Sequence, residues 1–255
     1  TFTGVNRVNG SNFDDFLIGN TSNNIFRSRA GNDTIDGVGG VNRVDFFSTT
    51  NRVIVDLTDA DGRGHQVYDD GQGGVDTLIN IQNITTNFGS DIIVGDGADN
   101  VLIGNGQNDL LIGGVGSDSL YGDFGGTGID EIGVIRGGDD FLEGSEGDDF
   151  LSGGDDADVF LIKSGDGFDF IDDLNITQGD RIDVSDFGFA NSSSITRSYN
   201  AEFDTTFLDF IGTGVSVRGD LTGLTQSQFD EYFIFTFTDG MVFPQCKVTQ
   251  LKLAA

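Results

Sequence analysis

An all-β fold, wound as a parallel β-helical solenoid and closed by a cap of β-strands at its C-terminal end, is what this 255-residue sequence predicts. The first observation behind that expectation is a nine-residue cadence. A polar residue recurs as Asp91, Asn100, Asp109 and Asp118, each followed two places later by an aliphatic side chain: Ile93, Leu102, Leu111 and Leu120. An earlier run keeps the step with Asp15, Asn24, Asp33 and Asn42 before Leu17, Phe26, Ile35 and Val44, and a later run with Asp140, Asp149 and Asp158 before Leu142, Leu151 and Phe160. A fixed short period in a glycine-rich chain signals a solenoid, because each repeat can bury its apolar face only against its neighbours. The second observation is composition: 40 glycines against one proline, which suits many tight turns between short strands. The third is the change near the C-terminus to aromatic alternation, in Phe203, Thr205, Phe207, Asp209 and in Phe233, Phe235, Phe237, which predicts broader strands.

Taken in order, residues 1–45 read as a first solenoid section with degraded glycines. Residues 46–85 leave the nine-residue frame but keep strand character, since Val53, Val55 and Leu57 share a face at period two. The glycines at 62, 64, 71, 73 and 74 predict a loop over 61–74. Residues 86–161 form the main solenoid, interrupted by an insertion from Gly122 to Val134. Residues 162–255 form the closing strands, with a short turn near Thr225 to Tyr232 as the sole hint of helix.

The frames also carry chemistry. Residues 104–112 and 113–121 both approximate G-G-x-G-x-D-x-U-x, with Asp109 and Asp118 at the sixth place. The first six residues form a turn that offers its carbonyls inward, and the aspartate adds a carboxylate. Convergent oxygen ligands of this kind suit Ca²⁺, which takes six to eight of them. Asp15, Asp33, Asp91, Asn100, Asp109, Asp118, Asp140, Asp149 and Asp158 are therefore the candidate side-chain ligands, with Asp130 keeping one irregular frame within the insertion. Gly104, Gly106, Gly113, Gly116, Gly144, Gly147 and Gly153 are the candidate turn positions. With two frames per turn, Asp91 stacks on Asp109, Asn100 on Asp118, Asp140 on Asp158 and Asp15 on Asp33. Asp149 then falls to Asp130. Asn24 would face Asn42 with Arg27, Arg29 and Arg43 nearby, a neutral and locally basic site expected to hold no ion.

At these residues the chain resembles the RTX (repeats-in-toxin, hemolysin-type) family of secreted bacterial proteins. Residues 76–84, 179–185 and 221–229, with Phe233-Ile234-Phe235, resemble the segments that flank such repeats, so the likeness extends over most of residues 10–235. The resemblance implies a parallel β-roll, calcium as cofactor, and export by a type I system through an uncleaved C-terminal signal to the extracellular space or cell surface.

The 42 acidic and 13 basic residues, a formal net charge of −29, make nucleic acid an improbable partner and call for counterions. Acidity concentrates in the middle, where residues 91–190 hold Arg136, Lys163 and Arg181 as their bases. Cys246 is the one cysteine, so no disulfide within the chain is possible. No apolar run is long enough for a transmembrane segment. His65, the one histidine, stands in a glycine-rich acidic stretch without an ordered partner, and no H-E-x-x-H is present. Six N-x-S/T triplets, at Asn9, Asn20, Asn32, Asn83, Asn175 and Asn191, are weak hints of glycosylation. The reading that follows is a non-enzymatic calcium-binding structural protein of a fibril, sheath or S-layer, prone to form a homo-oligomer or polymer through residues 1–45, with Arg27 and Arg29 meeting acids of a neighbour and cell-surface polysaccharide as a further partner. A secretion and folding module of a larger hydrolase or toxin is the first alternative, for which the start at Thr1 is mild support. A ligand-binding adhesin is the second.

Overall fold

The computed structural model describes residues 6–47, 50–58, 65–123, 137–210 and 213–235. The first section forms β1 (Arg7–Asn9), β2 (Phe16–Asn20), β3 (Ile25–Arg27), β4 (Thr34–Val38) and β5 (Arg43–Asp45). The chain continues through β6 (Ile54–Asp56), β7 (His65–Asp69), β8 (Asp76–Ile79) and β9 (Asn83–Thr85). The main solenoid supplies β10 (Ile92–Val94), β11 (Val101–Ile103), β12 (Leu110–Val115), β13 (Ser119–Tyr121), β14 (Phe141–Glu146), β15 (Phe150–Ser152) and β16 (Val159–Leu161). After it come β17 (Phe168–Ile171), β18 (Arg181–Asp183), β19 (Thr196–Asn200), β20 (Thr205–Asp209) and β21 (Gly214–Arg218), then a short helix, α1 (Gln226–Asp230), and β22 (Phe233–Ile234).

Successive strands of the solenoid fall alternately in two sheets. One sheet runs β1-β3-β5-β9-β11-β13-β15-β17-β21-β20-β19 and the other β2-β4-β8-β7-β6-β10-β12-β14-β16-β18-β22. Pairing along the solenoid is parallel and in register, Val101 opposite Ser119 and Ile92 opposite Leu110. One turn therefore consumes two frames. The middle residue of each short strand points between the sheets: Phe26, Ile35, Val44, Ile93, Leu102, Leu111, Leu120, Leu142, Leu151 and Phe160 are all fully buried in one continuous core. Burying such a side chain contributes about 1.5–3 kcal/mol, too little to hold an isolated three-residue strand but cumulative along the stack.

One expectation from the sequence is corrected here, and the facing of a predicted strand is fixed. The predicted loop over 61–74 contains β7 at residues 65–69, which pairs antiparallel with both β6 and β8, so His65 lies on a strand. Glycine density at both flanks hid it. Because β6, β7 and β8 form a meander within the second sheet while β5 pairs directly with β9 in the first, the second sheet gains strands there that the first does not match. In β20 it is Thr206 and Leu208 that are buried, which places Phe207 on the opposite face, where its ring meets Phe168 at 6.0 Å between centroids. Phe203 is exposed. A one-residue shift of strand phase exchanges the two faces, and aromatic size alone does not fix that phase. Phe237 lies outside the described residues.

At the C-terminal end β19, β20 and β21 form an antiparallel extension of the first sheet beyond β17. Phe187, Phe189, Phe210, Phe229 and Phe233 fill its junction with the roll. Helix α1 begins where the Thr225 side chain accepts from the Gln228 amide and the Gln228 side chain returns to the Thr225 amide, a capping box.

Candidate metal centre

The sixth frame positions line up as two columns, one at each edge where the chain passes between sheets. In the first column the Asp15 amide donates to Asp33 Oδ1 at 2.7 Å and the Asp33 amide to Asp76 Oδ1 at 2.9 Å. It resumes after the meander with the Val53 amide on Asp91 Oδ1 at 2.7 Å, then Asp91 on Asp109 and Asp109 on Asp140, each at 2.7 Å. Asp140 on Asp158 at 2.9 Å and Asp158 on Asp180 at 3.1 Å complete it. The second column steps from Asn24 to Asn42 at 2.9 Å and from Asn42 to Gln82 at 3.0 Å. Farther on, the Asn100 amide meets Asp118 Oδ1 and the Asp118 amide Asp149 Oδ1, both at 2.7 Å, and the Asp149 amide reaches Asp169 Oδ1 at 3.1 Å.

This ladder uses one oxygen of each carboxylate. Among the described residues the other oxygen, Oδ2 of Asp33, Asp109, Asp118, Asp140, Asp149, Asp158 and Asp169, is buried with no hydrogen-bond partner. At the ends the same atom is satisfied: Asp15 Oδ2 accepts from the Ser11 amide at 2.5 Å and Asp180 Oδ2 from the Asn175 amide at 2.7 Å. The orphaned oxygens sit against glycine. A Cβ at Gly113 would press on both Asp118 Oδ2 and the Gly144 carbonyl oxygen, and one at Gly122 on both Asp140 Oδ2 and the Gly153 carbonyl oxygen. Gly104, Gly144 and Gly153 likewise face Oδ2 of Asp109, Asp149 and Asp158. Gly116 takes φ 137°, and a Cβ on Gly147 would collide with its carbonyl oxygen. Gly106 is buried in the turn.

A carboxylate oxygen packed beside a carbonyl oxygen is unfavourable unless a proton or a cation lies between them. The acidities respond accordingly. Burial, the largest cause, pushes Asp33, Asp118 and Asp149 up to about 6, Asp76 and Asp91 to about 7, Asp169 to about 8 and Asp158 to about 9. Asp109 and Asp140 are held well above the ordinary carboxylate range by burial and then by neighbouring aspartates. Among the described residues no three His, Cys, Asp or Glu side chains converge as a metal cluster. The donor set is instead a sparse column of carboxylates among glycine carbonyls, all hard oxygen, which fits Ca²⁺.

The expected stacks Asp91 on Asp109, Asn100 on Asp118, Asp140 on Asp158, Asp15 on Asp33 and Asn24 beside Asn42 are all present as neighbours. The assignment of Asp149 to Asp130 is corrected: Asp149 stands between Asp118 and Asp169, because the insertion is skipped by the column, and Asp130 lies outside the described residues. Sequence reasoning missed Asp76, Asp169 and Asp180. Each precedes an inward residue by two places, Leu78, Ile171 and Ile182, all fully buried. Residues 71–79 form a complete frame, Gly71 to Ile79, that the loop assignment concealed.

Arg27, expected to meet a neighbouring subunit, is engaged within the chain. Arg7, Arg27 and Arg43 converge on the buried Asp45 carboxylate at 3.3, 3.6 and 2.6 Å, and the Arg27 guanidinium stacks over Phe47.

Residues 3–44, 85–120, 94–132 and 136–171 match the RTX calcium-binding nonapeptide repeat (4 copies). Among solved structures, the chain is similar to the AlgE6R3 subunit of the Azotobacter vinelandii mannuronan C5-epimerase, with 29% identity over 61% of this chain and 88% of that one and a TM-score of 0.43. The AlgE6R2 subunit of the same epimerase gives 27% identity, 57% and 94% coverage and a TM-score of 0.42. Extracellular lipase LipA from Serratia marcescens gives 18% identity over 92% of this chain and 40% of that chain, with a TM-score of 0.34. No curated protein sequence matches the chain.

Proposed function

Since the chain belongs to the RTX calcium-binding nonapeptide repeat family, we propose that it is an extracellular, calcium-folded structural protein whose β-roll is held shut along its two edges by the metal. The observation that carries this reading is the run of buried, unpartnered Oδ2 atoms at Asp109, Asp118, Asp140, Asp149, Asp158 and Asp169. Bound there, calcium would supply positive charge between carboxylate and carbonyl oxygens. Asp91, Asp109, Asp140 and Asp158 would hold it on one edge, Asp118, Asp149 and Asp169 on the other, and Asp33 with Asp76 nearer the N-terminus. The chain's part is to present these oxygens in register, which the inward aliphatic column does by fixing strand spacing.

Calcium modules outside the cell bind with Kd of about 10⁻⁴ to 10⁻³ M. A tenfold excess over Kd stabilises by about 1.4 kcal/mol per site, so several sites together exceed the margin of a typical domain. Circular dichroism in millimolar calcium and in EGTA tests the proposal. The β signal and cooperative melting are expected to collapse in chelator, and an unchanged melt would reject it.

The structural role rests on a second feature. Among the described residues β1 and β2 are the terminal strands of the two sheets, and beside them Phe13, Phe16 and Ile18 are exposed. Open strand edges template pairing with another chain, and a heterologous contact at this end would propagate rather than close. Electron microscopy in millimolar calcium is expected to show polymers that Phe16→Lys with Ile18→Lys abolishes. Monomers at every concentration would reject assembly.

A further inference from the structure

Asn42 occupies the same place in its column as the aspartates but solves the electrostatic problem differently. Its Oδ1 accepts the Asn24 amide at 2.9 Å, the same bond that Asp33, Asp109, Asp118, Asp140, Asp149 and Asp158 accept from the preceding turn. Its Nδ2 donates to the carbonyl oxygens of Asn80 at 2.9 Å and Gly39 at 3.2 Å. A Cβ at Gly37 would press on Asn42 Nδ2 and the Asn80 carbonyl oxygen, just as one at Gly113 would press on Asp118 Oδ2 and the Gly144 carbonyl oxygen. Where Asp118 leaves two oxygens face to face, Asn42 places two N–H groups between oxygens of the turn and of its neighbour. One amide thus makes the bridge that a cation makes elsewhere.

The Gln82 end of this column segment agrees, whereas Asn24 takes part through its backbone amide, its Nδ2 being buried without a partner. The Asn42 amide donates to Gln82 Oε1 at 3.0 Å, and Asn100 Nδ2 donates to the Gln82 carbonyl oxygen at 2.7 Å. From Asn24 through Asn42 and Gln82 to Asn100 no member is a carboxylate, so the column positions themselves carry no charge there. On the adjoining sheet face Arg7, Arg27 and Arg43 gather on the single carboxylate of Asp45, an excess of positive charge that disfavours a second cation.

We propose that Asn24, Asn42 and Gln82 form a metal-free clasp in which Asn42 stands in for calcium, so that β3, β5 and β9 remain paired when the metal is withdrawn. The inference deepens the calcium-folded reading and rests on it. The opposite edge of the same turns, Asp15 to Asp33 to Asp76, keeps an orphaned oxygen on Asp33 and opens with the rest of the roll.

Hydrogen exchange of the full chain, followed by mass spectrometry in EGTA and in millimolar calcium, tests it. In the wild type, peptides of β3 and β5 are expected to stay protected in both conditions, while those of β12, β14 and β16 are protected in calcium alone. Asn42→Asp should exchange at least about tenfold faster in β3 and β5 in EGTA, a loss that calcium reverses, and should bind one more calcium per chain by isothermal titration. Asn42→Ala should lose the protection in both conditions. Wild-type β3 and β5 peptides that exchange with β14 in EGTA would overturn the clasp while leaving the calcium-folded roll intact, and so would Asn42→Asp without an added ion. Protection of β12 and β14 in EGTA would overturn both, since a substitute for calcium has meaning where its neighbours need the metal.

Discussion

Asp109 and Asp140 stand 31 residues apart in the chain yet occupy consecutive steps of one column, the Asp109 amide donating to Asp140 Oδ1 at 2.7 Å. Their neighbours Asp91 and Asp140 reach Asp109 and Asp158 across 18 residues. The column therefore absorbs the insertion without a break, and Leu110 pairs with Phe141 in register. The carboxylate ladder and the strand ladder report the same stacking, so a change at one is felt at the other.

Asp118→Asn should convert a metal-requiring step into one resembling Asn42. Its new N–H can face the Gly144 carbonyl oxygen that Asp118 Oδ2 now opposes. The calcium midpoint for folding is expected to rise about tenfold, equivalent to about 1.4 kcal/mol, while residual structure in EGTA increases. A calcium titration followed by circular dichroism checks both, and a lower midpoint would contradict the assignment.

Gly113→Ala should be costly. Its Cβ meets Asp118 Oδ2 and the Gly144 carbonyl oxygen, whereas a Cβ at Gly97 meets nothing within 4 Å. We expect Gly113→Ala to lose more than about 2 kcal/mol and Gly97→Ala to stay within about 0.5 kcal/mol, read from urea midpoints in saturating calcium. Equal losses would show that the close approach is not what constrains position 113.

The pH response of the metal-free chain has a definite sign. Burial raises Asp118 and Asp149 to about 6, Asp76 and Asp91 to about 7 and Asp169 to about 8, above the ordinary value near 4 that they regain on unfolding. The folded state thus binds more protons, and stability falls as pH rises. It is fully present below about pH 4 and is lost progressively as pH passes through about 6 to 8. Calcium needs the ionised carboxylates, so its midpoint should fall over the same interval. Calcium-stripped protein examined by circular dichroism from pH 4.5 to 8 should lose β signal as pH rises. A gain would refute the burial argument.

Thr225→Ala removes one half of the capping box of α1 and should cost about 1 kcal/mol. Phe229, on that helix, packs against Phe233 at 5.0 Å between centroids, so the loss should appear as earlier melting of the C-terminal junction. Hydrogen exchange in peptides of β22 and α1, with β12 unaffected, would show it.

The sequence by itself determined the winding, the inward column and the residue types at the roll's edges. A nine-residue step with Ile93, Leu102, Leu111 and Leu120 in phase leaves one way to bury those side chains, because each strand is too short to find another partner face. It also distinguished Asn42 from Asp118, since amide and carboxylate are chemical facts of the residue. Within each unbroken run the two-frame step also gave the neighbours, but which frames meet across the interruptions was decided by the tertiary structure. Asp76, Asp169 and Asp180 joined the columns out of phase, Asp149 passed over the insertion to Asp118, and β7 turned antiparallel between β6 and β8, because unpaired strand edges must find backbone partners wherever the chain can reach them. The bond from Asn42 Nδ2 to the Asn80 carbonyl arose in the same way: a side-chain donor's partner is set by what the stacked neighbouring turn presents, and that turn lies 38 residues farther along the chain.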